Sequence, residues 1–290
     1  MAAGTSPAAA ESAWDDPAQP HRRPRPSRPL LGFNAGIAHP ARIYDYWLGG
    51  KDNFEADRIA GEDTIAAWPD IRSSARANRA FLARSVRYLA TEAGIRQFLD
   101  IGTGLPTANN THEVAQAAAP ECRVVYVDND PLVLTHARAL LASSLEGATD
   151  YLDADARDTS LILQHAAGTL DLTRPIAIMM LAILHYIPDL AEAQGVVTRL
   201  AEAVPVGSYI AISHTSSEID PEAMGELIRR MNEHLAEPDL VGRDRATVAR
   251  FFDGLDLVEP GVVKVTEWRP DSELEAIASA SLWGGVARKA

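Results

Sequence analysis

The chain has 290 residues, 47% of them hydrophobic and 23% charged, which excludes a wholly disordered or fibrous protein and leaves room for one large domain, alone or with a small appendage. A formal net charge of −13 makes nucleic acid an unlikely default partner, since phosphate neutralisation needs clustered lysine and arginine. The longest apolar run, nine residues from Ile176 to Leu184, is about half of what a membrane span needs.

The first 40 residues hold 7 of the 18 prolines, and His21 to Pro29 (HRRPRPSRP) carries four arginines. Residues 1–32 therefore read as a solvated tail without a packed core. The first ten residues have no cationic start and no continuous apolar stretch, so no secretory signal is expected. With one cysteine, Cys122, an internal disulfide is excluded and the cytoplasm is the expected compartment. From Pro40 to Gly94 the pattern is helical. A short helix over 41–48 is stopped by Gly49-Gly50. Asp52 is expected to cap the next, with Glu55 completing a capping box. A longer helix is expected from Ile71 to about Glu92, capped by Asp70 and ended by Gly94. Asn78 interrupts its apolar stripe and must find a partner or cost stability. It is expected either to face the ligand region, with Arg79 beside it, or to bond a nearby loop backbone.

From Arg96 onward short apolar strands (97–101, 124–127, 176–180, 209–213) alternate with helical patterns, as in a parallel sheet covered on both faces. Residues 149–152 and 256–259 are further short strands. The segment Leu99 to Pro106 (LDIGTGLP) puts Asp100 at a strand end, then Gly102 and Gly104 in a turn where a ligand can lie against the backbone, then a helix expected to start at Pro106. Thr107 occupies the place where a dinucleotide fingerprint needs its third glycine, which argues against an oxidoreductase with a nucleotide cofactor. Asp128, with Asn129 beside it, ends the next strand, where a carboxylate can bind two ribose hydroxyls or cap the following helix. Asp130, before Pro131, is the better capping candidate. Asp155, in the loop after the third strand, is the candidate reader of an adenine amino group. His185 and Tyr186 follow the most apolar strand, where open parallel sheets place their ligand crevice. The imidazole there is either a base near neutrality or a structural group. His214 follows the next strand and shares the argument. The histidines show no metal-ligand spacing, so no metal site is expected.

Together, Asp100, Gly102, Gly104, Asp128, Asp155 and the segment 184–189 (LHYIPD) resemble a class I S-adenosylmethionine-dependent methyltransferase. The string from Ala41 to Asn53 (ARIYDYWLGGKDN) and that from Ala77 to Leu82 (ANRAFL) resemble the signature of an actinobacterial methyltransferase family of unassigned substrate. Pro106 stands where a third glycine often follows in the class. The resemblance implies a Rossmann-like α/β fold, with a seven-stranded, mostly parallel sheet between helices, an antiparallel last strand near 286–289 and an N-terminal helical cap. Residues 33–94 would be the cap and 95–290 the domain that binds S-adenosyl-L-methionine. The implied reaction is methyl transfer to a small-molecule acceptor. A non-catalytic regulator that binds the same cofactor is the alternative from another class. Aromatic crowding in 41–54 suggests a lid: Tyr44, Tyr46 and Trp47 would wall the site, with Lys51 and Asn53 turned back toward the ligand.

Overall fold

Three helices precede the first strand in the computed structural model, which describes Met1 and residues 34–133, 135, 143–236 and 240–290. Apart from Met1, the expected tail lies outside the described residues, as does most of the helix expected after Pro131. Helix α1 (Pro40–Leu48) begins on proline, whose missing N–H costs nothing in a first turn, and ends at Gly49, φ 85°. Helix α2 (Glu55–Ala67) is capped otherwise than expected. Asp57 accepts the Phe54 N–H at 2.8 Å, while Asp52 lies in a turn whose N–H is held by the Asp45 carboxylate at 3.0 Å. Helix α2 begins at Glu55 with Phe54 in the capping position, two residues later than the expected cap. Helix α3 (Ile71–Thr91) follows Asp70, whose side chain makes no cap bond, and Gly94 follows it at φ 70°.

Strand β1 (Gln97–Ile101) leads into α4 (Thr111–Ala118), which starts later than Pro106 because the glycine turn continues to Asn110. Glu113 accepts the Asn110 N–H at 2.8 Å and fixes that start. Then come β2 (Arg123–Asp128), β3 (Ala148–Asp153), α5 (Thr159–Ala166), β4 (Ala177–Leu181), α6 (Leu190–Ala203), β5 (Tyr209–Thr215) and α7 (Pro221–His234). The remaining elements are α8 (Arg245–Ala249), β6 (Asp256–Leu257), β7 (Val263–Lys264), α9 (Glu273–Ala276) and β8 (Leu282–Arg288).

The sheet runs β3-β2-β1-β4-β5-β8-β6, with short β7 beside β8 off this path. β8 is antiparallel to β5, β6 and β7, and the pairs among β1 to β5 are parallel. This is the mostly parallel arrangement that the resemblance implies, with an antiparallel strand longer than 286–289. Alternate residues of one strand enter opposite layers, as the two-residue period of a strand requires. Phe98, Val124 and Tyr126 join Phe81, Leu89 and Trp268 on one face, while Leu99, Ile101, Val125 and Val127 join Ile162 and Val196 on the other. Each fully buried side chain of this kind stabilises the fold by about 1.5–3 kcal/mol. A third apolar cluster lies outside the sheet and joins α1 to α3 with α7 and Leu240. Among the described residues no helix is long and apolar enough to cross a membrane.

Candidate active site

Beyond the carboxyl ends of β1 to β5 opens a cleft. Its floor is the strand tips and its opposite wall is the third apolar cluster.

Gly102 and Gly104, both on the floor, have φ of 74° and 68°, a region that favours glycine. A Cβ on Gly102 would stand 2.7 Å from the Ile183 side chain, whereas one on Gly104 would meet nothing within 4 Å. The turn thus presses on the loop after β4 at its first glycine and leaves a bare cradle at its second. Asp128 is 7% exposed; its Oδ2 accepts the Gly104 N–H (2.8 Å) and its Oδ1 the Asp130 N–H (2.9 Å). Burial raises its pKa above the ordinary carboxylate value. Asn129 and Asp155 line the cleft beside it, with the Asp155 carboxylate held by the Arg157 guanidinium at 2.9 Å. Asp130 does cap the turn after it, accepting from Leu132 N at 2.9 Å. It also receives Arg42 of α1 at 3.2 Å, so the cap helix is tied to the tip of β2 by a buried ion pair.

Asp100 accepts from the Thr111 hydroxyl at 2.6 Å, and its pKa is raised to about 6, chiefly by burial, against the lowering effect of that bond and of Arg79. Between about pH 4 and 6 the folded protein therefore holds a proton that the unfolded chain releases, and stability from this group falls as pH rises through that window. Asp100→Asn is expected to stabilise the protein at neutral pH by up to about 3 kcal/mol, and the gain should vanish below about pH 4. Urea denaturation of both proteins at the two pH values measures it.

Asn78 bonds no loop backbone. One directed chain of hydrogen bonds runs through it: Ala182 N–H to Ser213 Oγ (3.0 Å), Ser213 to Asn78 Oδ1 (2.6 Å), Asn78 Nδ2 to Tyr44 Oη (3.1 Å), and Tyr44 to the Ala75 carbonyl (2.9 Å). It ties α1 and α3 to β5 and to Ala182, whose φ of 57° is unusual for a residue with a side chain. Asn78 and Tyr44 line the cleft. Arg79 does too; its Nη2 donates to the carbonyls of Ala108 and Asn109, and its buried Nε has no hydrogen-bond partner among the described residues.

His185 lines the cleft, but its Nδ1 accepts the Thr215 N–H at 3.3 Å and faces the Thr215 hydroxyl at 3.1 Å, which puts the ring proton on Nε2. Burial, then His214 and Arg243, hold its pKa well below the ordinary imidazole value. It is neutral at pH 7 with its basic nitrogen engaged, a poor base and a good strut. Tyr186 borders the same cleft, its phenol pushed far up by burial and by Tyr44. His214 is fully buried and does not line the cleft. Its Nδ1 donates to the Thr215 carbonyl (2.9 Å), its Nε2 accepts from Arg243 (2.7 Å), and burial lowers its pKa to about 3.

Of the aromatic segment, Tyr44 and Trp47 line the cleft, and Tyr46, Lys51 and Asn53 do not. Tyr46 turns outward to the carboxylate of Glu62. Asn53 donates to Asp45 (2.8 Å) and to the Gly50 carbonyl (3.1 Å), so the 49–53 turn closes on α1 and leaves Lys51 on the surface. Sequence reasoning missed Arg243, whose guanidinium donates to the carbonyls of Leu184 (3.1 Å), Ile187 (2.7 Å) and Pro188 (3.0 Å) and so shapes the 184–188 turn. No motif surrounds it. It also missed Trp68, Met224, Leu227 and Leu240, which reach the cleft from distant segments. Among the described residues no group of three or more His, Cys, Asp or Glu could hold a metal ion.

Residues 31–290 match the model of a family described as S-adenosyl methyltransferase. A DUF574 family protein of Streptomyces avermitilis has a similar structure (TM-score 0.84, 47% identity, covering 88% of this chain and 99% of that one). So does a protein of Thermobifida fusca provisionally described as a methyltransferase (TM-score 0.82, 43% identity, 90% and 97% covered). No curated protein matches the chain.

Proposed function

Because the chain belongs to the S-adenosyl methyltransferase family, we propose that its cleft binds the cofactor against the strand tips and a small-molecule acceptor, with an oxygen or nitrogen nucleophile, against the helical wall. The observation that carries this reading is one cleft with two unlike halves, charged at the floor and apolar opposite.

The floor fits S-adenosyl-L-methionine. The bare cradle at Gly104 admits it to the backbone, and the buried Asp128 carboxylate suits a ribose diol. Arg79, with its unpartnered Nε, suits the cofactor's carboxylate. Asp155 and Asn129 suit the adenine end. Bound there, the cofactor supplies an electrophilic methyl group on a sulfonium. The chain's own work is positioning and exclusion of water. His185 and Asn78 hold the 182–186 turn and α1 in register without moving a proton. Tyr44 and Trp47 make residues 41–54 a cover for the reacting end, and residues 33–94 a cap on the 95–290 domain. The single cysteine, buried and unpaired, suits a cytoplasmic setting.

Calorimetry with S-adenosylhomocysteine tests the cofactor half. Asp128→Ala should weaken binding on the order of 10- to 100-fold, the loss of one or two bonds to a charged acceptor. Unchanged affinity in the folded variant rejects the ribose assignment. Labelled S-adenosylmethionine incubated with the protein and a cell extract should pass its label to a small molecule. Label appearing only in protein or nucleic acid rejects the acceptor half.

A further inference from the structure

We infer that the helical half of the cleft takes an uncharged, largely apolar acceptor built on a planar ring. The inference rests on the methyl-transfer reading and narrows its substrate class.

The wall is made by Trp47, Trp68, Ile71, Met224, Leu227 and Leu240, side chains that pack on one another as a hydrophobic cluster and also border the cavity. Each of the two tryptophans is only 6% exposed. The Trp47 indole N–H donates to the Thr64 hydroxyl at 3.2 Å, so the polar edge of that ring is spent away from the cleft. Tyr44 stands edge-on to Trp47, with centroids 6.1 Å apart, and Tyr186 adds a second phenol ring. Four aromatic rings around one space favour a flat partner, because offset and edge-to-face contacts add to simple burial.

Charge is absent from this half. Among the described residues that line the cleft, Asp100, Asp128, Asp155 and Arg157 belong to the strand tips. His39 and Arg79 come from the helical segment, yet His39 Nδ1 lies 3.2 Å from Asp130, and Arg79 turns to the glycine loop, where the carboxylate of the proposed cofactor takes its charge. His185 is neutral and braced on Thr215. What remains for an acceptor is neutral hydrogen bonding from groups such as Tyr186, Thr215, Ser74, Ser281 and the second Asn78 amide hydrogen. A carboxylate, phosphate or ammonium placed there would lose its water without gaining a counter-charge, a large penalty. A hydroxyl or uncharged amine on a ring would not.

The probes are 2-naphthol, 2-naphthoate and 2-naphthylmethylammonium, three molecules of one ring system that differ in charge at neutral pH. Each is titrated calorimetrically into the full chain saturated with S-adenosylhomocysteine. Naphthol should bind at least about tenfold tighter than either ion. Trp68→Ala and Leu240→Ala should each weaken naphthol several-fold and leave S-adenosylhomocysteine affinity unchanged. Equal or tighter binding of either ion overturns the inference. So does failure of naphthol to bind the saturated protein, or naphthol affinity that neither variant changes. Failure of S-adenosylhomocysteine itself to bind strikes the methyl-transfer reading instead.

Discussion

Arg243→Met is expected to lower unfolding stability by about 3–5 kcal/mol and to abolish methyl transfer. The side chain is 7% exposed, and its three carbonyl partners in the 184–188 turn have no substitute donor on methionine. A hydrogen bond from a charged donor is worth about 1.5–3 kcal/mol, and bonds in one network do not add fully. Burial pulls the guanidinium pKa down, yet a guanidinium keeps its proton at any pH the fold survives. Arg243→Lys keeps the charge but loses the planar fork, so it should recover less than half of the loss. Urea denaturation reads the stability. A methionine variant that unfolds like the parent shows that the turn holds without the guanidinium.

Gly102→Val should cost about 2–5 kcal/mol, from about 1–2 for a left-handed φ and about 1–3 for overpacking against Ile183. Gly104→Ala makes the comparison sharp. It shares the left-handed φ but meets no atom, so its stability cost should be about 1 kcal/mol. Its new methyl would project into the cradle, so S-adenosylhomocysteine affinity should fall by far more than stability does. Thermal unfolding and calorimetry on the two variants separate the effects. Equal losses of affinity and stability at Gly104 refute the cradle.

Much of the fold was legible because it rests on local pattern. The strands at 97–101, 177–181 and 209–215 are buried on both faces, and each carries a short apolar run that stands out from the helical patterns around it. The floor of the cleft was legible for the same reason, since Gly102, Gly104, Asp128 and Asp155 sit at strand tips that topology brings together. Side-chain direction was not. Lys51 and Asn53 read as ligand-facing because a glycine pair precedes them, but the turn answers to Asp45, several residues back. Asn78 was identified as a misfit, while its partner Ser213 lies on β5 with nothing in sequence to link them. His185 sits where a base would sit. Its tautomer is set by the backbone of Thr215, which periodicity cannot report.

The position of β8 has a consequence for how the protein comes into being. A chain made from its N-terminus produces β1 to β5 first, and β5 then presents an open edge, the segment YIAISHT, until residues 282–288 exist to cover it. Helix α3 waits as well, because Phe81 packs against Gly284 of that same strand. The nascent sheet thus carries a sticky border from the synthesis of Thr215 until that of Leu282, the condition in which strand edges recruit one another. Ribosome-bound chains halted before Leu282 should bind holdase chaperones, and full-length chains tethered through an added C-terminal linker long enough to bring Arg288 out of the ribosome should be released from them.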